Sequence, residues 1–259
     1  MVKKIENFFN GNYIKTNNKY LQKINPHNNQ VLSEYPNTGK AKIDKVVNFA
    51  KAAQIEWAEK TAINRSDFLL TFVKNIEDNK DILINISAEE TGKSIKDSTG
   101  EVDAAIRQGY YWATEGYRFF SNTMSSQTPK KVVYSVRDPL GVALLIVPAN
   151  TAVANIAWKL FPALLCGNSV ILKSSEDAPE TADFFAKISI KSQFPKGVFN
   201  LIHGGRSTAK NLVDADIDIV SFTGSSSTGI KISQAASLSL KRFSLELGGS
   251  NALIVMSDA

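Results

Sequence analysis

Residues 138–176 read DPLGVALLIVPANTAVANIAWKLFPALLCGNSVILKSSE and decide the fold. Val142–Val147 is a continuous apolar run, which is typical of a strand buried on both faces. An amphipathic helix is predicted over Ala154–Leu165, and Ser169–Leu172 is a second β-prone run. A strand, a helix and a strand joined by short connections predict two parallel strands with a helical crossover.

The same alternation continues to residue 259. It predicts an α/β fold, a Rossmann-like open parallel sheet covered by helices. Further strands are predicted at Val198–Ile202, Ile217–Phe222, Arg242–Leu245 and Ala252–Val255, with helices at Glu180–Lys191, Thr208–Val213 and Thr228–Ala236.

The part before this core has a different pattern. Ile43, Val46, Val47 and Ala50 fall at three- and four-residue steps, which predicts one face of an amphipathic helix. We therefore predict an N-terminal helical subdomain over residues 1–122, in which a helix over 98–120 turns Val102, Ile106, Tyr110 and Tyr117 inward. Residues 123–137 form a predicted hairpin segment, and residues 138–259 form the Rossmann-like core.

Composition excludes several function classes. The 259 residues are 43% hydrophobic and 21% charged, as in ordinary globular proteins. One cysteine and two histidines allow no disulfide and no thiolate zinc cluster, so we predict no metal site. The net charge of +5 includes no run of five basic residues, which argues against a nucleic-acid partner. No apolar run approaches the ~18 residues of a membrane span and no signal peptide is visible, so we expect a cytoplasmic protein.

Chemically useful side chains follow each predicted strand. Ligands of open parallel sheets bind beyond the carboxyl ends of the strands, so these loops form the candidate site. Ordinary connecting loops remain an equally open interpretation, because neither of the two common glycine-rich phosphate motifs is present. The loops are Pro148-Ala149-Asn150, Lys173-Ser174-Ser175-Glu176, His203-Gly204-Gly205-Arg206, Thr223-Gly224-Ser225 and Glu246-Leu247-Gly248-Gly249.

Each loop has a physical use in a dinucleotide enzyme. The helix N-terminus after Ser225 favours a phosphate. Lys173 and Glu176 can bracket a ribose, and a carboxylate there repels a 2′-phosphate, which favours NAD over NADP. The Asn150 amide can stabilise an oxyanion, and Glu246 can serve as a base.

At this point the chain resembles the NAD(P)-dependent aldehyde dehydrogenase superfamily. The resemblance covers essentially the whole chain, and the motifs occur in family order at near-family spacing. They are Asp138-Pro139-Leu140-Gly141-Val142, Pro148-Ala149-Asn150, Ala157-Trp158-Lys159-Leu160, Gly167-Asn168-Ser169-Val170, Phe194-Pro195-Lys196-Gly197-Val198, Phe222-Thr223-Gly224-Ser225 and Leu245-Glu246-Leu247-Gly248-Gly249.

The resemblance implies NAD(P)-dependent oxidation of an aldehyde to a carboxylic acid in a homo-oligomer that uses the 123–137 hairpin. It implies that Asn150 holds the oxyanion, that Glu246 is the general base, and that Asn155 and Trp158 line the substrate tunnel. The implied cofactor, NAD rather than NADP, would contact Val147, Pro148, Ala149, Asn150, Lys173, Ser175, Glu176, Phe222, Thr223, Gly224, Ser225, Thr228, Leu247 and Gly248.

Two departures from the family pattern bear on activity. Ala149 stands where relatives usually carry tryptophan. The family nucleophile is a cysteine a few tens of residues beyond the glutamate, but only 13 residues follow Glu246. The single cysteine, Cys166, is interpreted as a small core residue. We therefore expect a chain truncated before its second, catalytic α/β domain and inactive alone. The alternatives are an NAD-binding module without chemistry, one half of a split enzyme with a separately encoded catalytic half, or a non-functional remnant.

The remaining polar candidates have plainer interpretations. His203 and His27 are expected to be non-catalytic surface residues. Lys159 is left open between a residue facing the cofactor and a solvated lysine.

Overall fold

The strand–helix alternation builds a seven-stranded sheet in the computed structural model, which describes residues 2–16 and 19–258. The strands, in chain order, are β1 (Lys3–Lys4), β2 (Asn7–Phe9), β3 (Asn12–Ile14), β4 (Tyr20–Ile24), β5 (Val31–Pro36), β6 (Thr123–Met124), β7 (Val133–Tyr134), β8 (Val142–Ile146), β9 (Ser169–Lys173), β10 (Phe199–Ile202), β11 (Ile219–Gly224) and β12 (Arg242–Leu247).

Helices connect and cover these strands, and a single 3₁₀ turn at Gly116–Arg118 extends the fourth helix. The helices are α1 (Lys40–Glu59), α2 (Ala62–Asp78), α3 (Lys80–Thr91), α4 (Ile95–Glu115), α5 (Ala152–Leu165), α6 (Pro179–Lys191), α7 (Arg206–Asp214) and α8 (Ser226–Ser237).

The central sheet has the strand order β12-β11-β8-β9-β10-β2-β3. The five strands from β12 to β10 are parallel, and β2 joins β10 in the antiparallel direction. All five residues of β8 and of β9 are buried, since helices cover both faces there. The predicted α/β class and the open parallel sheet are therefore confirmed.

Two apolar clusters lie on opposite faces of the sheet. Ala143 and Leu145 of β8 pack with α5 and α6, and α2 to α4 form a further layer behind these two helices. Val142, Leu144 and Ile146 point the other way and pack with α1, α7 and α8. This alternation along one strand gives the sheet two different covered faces.

Residues 2–16 and 19–39 differ from the prediction of a mainly helical subdomain. They form five short strands before α1 begins, and β2 and β3 extend the central sheet as an antiparallel hairpin. Phe8 on β2 is 2% exposed, because it fills the apolar cluster beside β10. The helices α1 to α4 follow as predicted, although Tyr117, predicted to face inward, is 54% exposed.

Two further predictions concern single segments. Residues 123–137 contain the predicted hairpin, since Thr123 pairs with Tyr134 in antiparallel register. The strand predicted at Ala252–Val255 is wrong: these residues are exposed and pair with no strand among the residues described. The domain boundaries at 122 and 137 stay a prediction.

None of the helices in residues 2–16 and 19–258 has the length and apolar character needed to cross a membrane.

Candidate active site

The register of the parallel strands brings the five candidate loops to one edge of the sheet. Ile146 and Ile202 both lie beside Lys173 at the carboxyl ends of β8, β10 and β9. On the other side of β8, Thr223 at the end of β11 lies beside Glu246 of β12. This arrangement places the predicted amide, cation, carboxylates and glycines along a single line, as the topology of parallel strands requires.

A cavity of about 860 Å³ lies between α5 and one face of β8, β11 and β12; we call it the α5 groove. Its lining brings together five predicted site residues. These are Asn150, Asn155, Trp158, Thr223 and Glu246. The groove therefore holds an amide donor and a carboxylate in one space, which is the pair needed to stabilise an oxyanion and to activate water.

The first turn of α5 is built around Thr151. The Asn150 Oδ1 accepts the Thr151 N–H at 2.9 Å, and the Asn155 amide donates to the Thr151 carbonyl at 3.0 Å and to its hydroxyl at 2.7 Å. Because the Asn150 oxygen is engaged locally, its NH₂ group is left as the donor that can serve a ligand.

Lys159 lies in the α5 groove and is half-buried rather than fully solvated, and its orientation toward the cofactor stays a prediction. Its Nζ donates to the Ser221 hydroxyl at 2.8 Å. Burial lowers the pKa of Lys159, and the Glu246 carboxylate acts in the opposite direction. Lys159 is thus a half-buried cation on the same groove as Glu246, and the spacing of Lys159 from Asn155 on α5 was the signal for it.

A second cavity, of about 930 Å³, lies between α7 and α8 on the opposite face of the sheet; we call it the α7–α8 cleft. Phe222 and Thr228 are the predicted cofactor residues in its lining. Ser225 caps α8 beside it, since its hydroxyl accepts the Thr228 N–H. Three cations also line the cleft: Arg206 comes from one of the candidate loops, whereas sequence reasoning missed Lys210 and Lys231.

The other predicted cofactor residues line neither cavity, although they lie on the same edge loops. Leu247 packs against Gly229, where an added Cβ would lie 2.6 Å from a Leu247 methyl carbon. The remaining residues of this group are Val147, Pro148, Ala149, Lys173, Ser175, Glu176, Gly224, Ser225 and Gly248.

Lys173 is the most unusual of these residues. It is 5% exposed, and within residues 2–16 and 19–258 no group forms a hydrogen bond with its ammonium. Burial lowers the pKa of Lys173 to about 8, while Glu176 acts in the opposite direction. Buried cations are costly without a partner, so a nearly buried, unbonded ammonium at this edge is suited to an incoming acceptor.

Glu176 follows Lys173 on the same loop and is exposed. Its carboxylate lies close to Gly205 at the start of α7, where an added Cβ would be 3.1 Å from Oε2. Its main-chain carbonyl accepts the Tyr35 hydroxyl at 3.0 Å. The loop carrying Lys173 and Glu176 is therefore held partly by β5, an element that the sequence did not reveal.

The prediction that His203 is a surface residue is wrong, since its side chain is 0% exposed. The cause is β2 and the segment after β5, which cover the end of β10. Asn7 accepts the His203 N–H at 2.8 Å, and the His203 Nδ1 lies 2.8 Å from the Ser174 hydroxyl. Burial lowers the pKa of His203 to about 4, so the ring is neutral near pH 7. His27, by contrast, is exposed as predicted.

Cys166 ends α5 and lines the α5 groove at half-buried exposure, so the prediction of a buried core residue is wrong, because the groove leaves this end of the helix partly uncovered. Burial raises the pKa of the Cys166 thiol, against the opposing effect of Arg65 and Arg137.

We expect iodoacetamide to alkylate Cys166 in the native chain at least about tenfold more slowly than in urea, because the thiolate is the reactive form. Mass spectrometry of timed samples measures both rates. Equal rates would contradict this assignment of an inert thiol.

The family model described as "Aldehyde dehydrogenase family" matches residues 13–259. The chain belongs to the aldehyde dehydrogenase family. This confirms the resemblance that the loop motifs indicated.

Known members of the aldehyde dehydrogenase family support the assignment. D-glyceraldehyde dehydrogenase (NADP(+)) of Picrophilus torridus is 32% identical over 241 residues, which are 92% of this chain and 49% of that protein. Lactaldehyde dehydrogenase from Escherichia coli superposes with a TM-score of 0.93 at 30% identity, covering 96% of this chain and 53% of the other. A betaine aldehyde dehydrogenase point mutant from Staphylococcus aureus, in complex with NAD+, gives a TM-score of 0.91 at 27% identity, covering 94% and 50%.

The chain spans about half the length of the curated relatives it matches. The names of these aldehyde dehydrogenases include both NAD+ and NADP(+), so they give no support to the predicted preference for NAD.

Proposed function

We propose that this chain forms the cofactor-binding part of an NAD(P)-dependent aldehyde dehydrogenase that oxidises an aldehyde to a carboxylic acid. The observation that carries this proposal is the Lys173 ammonium, nearly buried and without a hydrogen-bond partner in the described residues, at the carboxyl edge of the sheet. An acceptor-rich ligand such as a ribose satisfies this cation. The family match supports the same function.

The edge loops and the α7–α8 cleft fit a dinucleotide. Lys173 and Glu176 would hold the adenosine ribose, and Phe222 and Thr228 would line the space for the base. Ser225 at the start of α8 would meet the pyrophosphate, because main-chain N–H groups and the helix dipole favour an anion there. Leu247 would lie against the nicotinamide. Val147, Pro148, Ala149, Asn150, Ser175, Thr223, Gly224 and Gly248 complete the proposed contacts, with Asn150 on the nicotinamide side.

A nicotinamide cofactor held by the residues named above would supply the oxidant of the proposed reaction, as the acceptor of a hydride from the substrate carbon. The protein's own part is electrostatic and acid–base. The Asn150 NH₂ group donates to the oxygen of the aldehyde as negative charge develops on it. Glu246 accepts a proton at its carboxylate from the water that releases the acid. Asn155 and Trp158 border the substrate in the α5 groove, and Lys159 adds a positive charge to it.

The reaction also needs a thiolate, and Cys166 is poorly suited to supply it. Burial raises the pKa of this thiol, the only one in the sequence. We therefore expect the chain alone to bind the dinucleotide and to oxidise no aldehyde. Aldehyde-dependent formation of reduced nicotinamide by the pure chain, persisting in Cys166→Ala, would contradict this expectation.

The proposal is tested by calorimetric titration of the folded chain with NAD+ and, separately, with NADP+. Saturable binding of at least one of them is the expected result. Absence of binding to a chain whose circular dichroism and cooperative melting show it to be folded would overturn the proposal and favour a remnant without ligand. Binding without chemistry is the expected behaviour of the isolated chain, which then acts on its own as a nucleotide-binding module.

We infer a preference for NAD over NADP from Glu176, whose carboxylate repels a 2′-phosphate. Glu176→Gln is expected to lower the ratio of NAD+ to NADP+ affinity about tenfold, because it removes a full negative charge, an effect of about 1.4 kcal/mol. Calorimetry with both cofactors measures this ratio. The control is Asp177→Asn, the same charge change at the adjacent exposed residue. An unchanged ratio in Glu176→Gln would contradict the inference.

Residues 123–137 are proposed to mediate assembly into a homo-oligomer. Both strands of the hairpin are short, and Met124 and Tyr134 are 52% and 66% exposed. Val132 and Val136 beside them are exposed as well. Exposed apolar residues grouped on one hairpin are typical of an interaction surface.

A further inference from the structure

Helix α5 presents Asn150 and Asn155 to the groove, yet its own sequence does not cap it. Its N-cap residue, Thr151, makes no side-chain capping hydrogen bond, in contrast to Ser225 at the start of α8. The main-chain N–H groups of a first turn have no partner within the helix and need one from elsewhere. For α5, the partner comes from a helix that packs against it and lies 53 residues earlier in the chain.

The partner is the carboxylate of Glu101 on α4. Its Oε1 accepts the Ala154 N–H at 3.1 Å, within the first turn of α5. Its Oε2 pairs with the Lys93 ammonium, and the side chains of Glu101 and Lys93 are 5% and 22% exposed. A buried carboxylate that is paired and hydrogen-bonded is held in a single position, and its negative charge favours a helix N-terminus.

The same arrangement recurs one helix further along. Helix α6 follows the loop of Lys173 and Glu176, and its N-cap Ala178 has no capping side chain. The Glu90 carboxylate, 2% exposed at the end of α3, accepts the main-chain N–H groups of Glu180 and Thr181 at 2.7 and 2.8 Å. The N-terminal helices therefore cap both helices that follow the site loops of β8 and β9.

We propose that Glu101, held by Lys93, is a positioning residue for Asn150: it fixes the first turn of α5 from α4 and so sets the direction of the amide in the groove. The effect that we expect on cofactor binding rests on the proposed function, whereas the positioning of the first turn of α5 does not. The chain of contacts is short, since Ala154 and Thr151 lie in the same turn and Thr151 binds both Asn150 and Asn155.

Amide hydrogen exchange tests the positioning without any nucleotide. Glu101→Ala is expected to speed exchange of the 152–155 amides about tenfold, because a hydrogen bond to a charged acceptor is lost. The first turn of α8, capped by its own Ser225, is the internal control and should not change. Glu90→Ala should speed exchange at 180–181 and leave α5 unaffected. Unchanged exchange at 152–155 in Glu101→Ala would overturn the proposal.

A comparison of two nucleotides separates positioning from general destabilisation, which would weaken the binding of both. Glu101→Ala should weaken NAD(P) binding about tenfold and leave 5′-AMP binding unchanged, since Asn150 lies on the nicotinamide side of the proposed site. An equal loss for both ligands would overturn the positioning role. If the wild-type chain binds neither ligand, the proposed function fails, and the exchange result decides the positioning alone.

A second variant covers the case in which Glu101→Ala does not fold. Lys93→Met keeps the Glu101 carboxylate and removes only its ion-pair partner on the more exposed side. The same segment, 152–155, should then exchange faster by a smaller factor of about threefold, with 5′-AMP binding again unchanged. Exchange at 152–155 equal to wild type in this variant would also count against the proposal.

Discussion

Lys173→Met is expected to weaken binding of NAD(P) by about 100-fold. The substitution keeps most of the length of the side chain and removes the ammonium, so the ligand loses a charge-assisted hydrogen bond in a nearly buried position. Such bonds contribute about 1.5–3 kcal/mol, and 2.7 kcal/mol corresponds to 100-fold. Isothermal titration with the preferred cofactor measures the effect directly.

The fold of the Lys173→Met chain should be intact. The Lys173 side chain is 5% exposed, so its ammonium loses part of its hydration on folding, and its removal should leave the melting temperature unchanged or raise it. Lys45→Met is the matched control, since Lys45 is exposed on α1 and away from both cavities. Equal affinities for Lys173→Met and Lys45→Met would show that Lys173 does not meet the cofactor.

The chain is expected to lose about 3 kcal/mol of unfolding free energy through His203 between pH 6.5 and pH 4. Burial lowers the native pKa of His203 to about 4, whereas the unfolded chain binds this proton near pH 6.5. The unfolded state therefore binds more protons in this interval, and stability falls as the pH falls. Well above pH 6.5 the ring is neutral in both states and this effect is absent.

The effect is measured as a difference, because carboxylates titrate over part of the same interval. Urea unfolding of the wild type and of His203→Gln is followed at several pH values from 7.5 to 4. The Asp183 and Lys173 charges act on His203 in opposite directions, and both are retained in the variant. Parallel curves for the two proteins would contradict a buried neutral His203.

The hydrophobic pattern of the sequence was sufficient to predict the core strands and helices of the fold. Val142–Val147 predicted β8, and the steps of Ile43, Val46, Val47 and Ala50 predicted the buried face of α1, which the structure confirms. Both signals are local, because a strand buried on both faces must be apolar throughout and an amphipathic helix must repeat every three or four residues.

The N-terminal strands could not be predicted from hydrophobic pattern. β1, β2 and β3 have only two or three residues each, too few for any periodic pattern. β2 forms because Phe8 and Asn7 meet the edge of β10, almost 200 residues away in the chain. The strand predicted at Ala252–Val255 does not form. Apolar residues form a strand only where a neighbouring strand offers hydrogen-bond partners.

The sequence by itself determined the order of strands and helices from β8 to β12, the family, and which side chains follow each parallel strand. These depend on local pattern and on motifs at set spacing. Only the tertiary structure decided that Lys173 is buried, that His203 is covered by β2, and that Glu101 and Glu90 cap α5 and α6. Burial, and the pKa shifts and caps that follow from it, depend on which distant segments cover a residue, and a local sequence pattern does not contain that information.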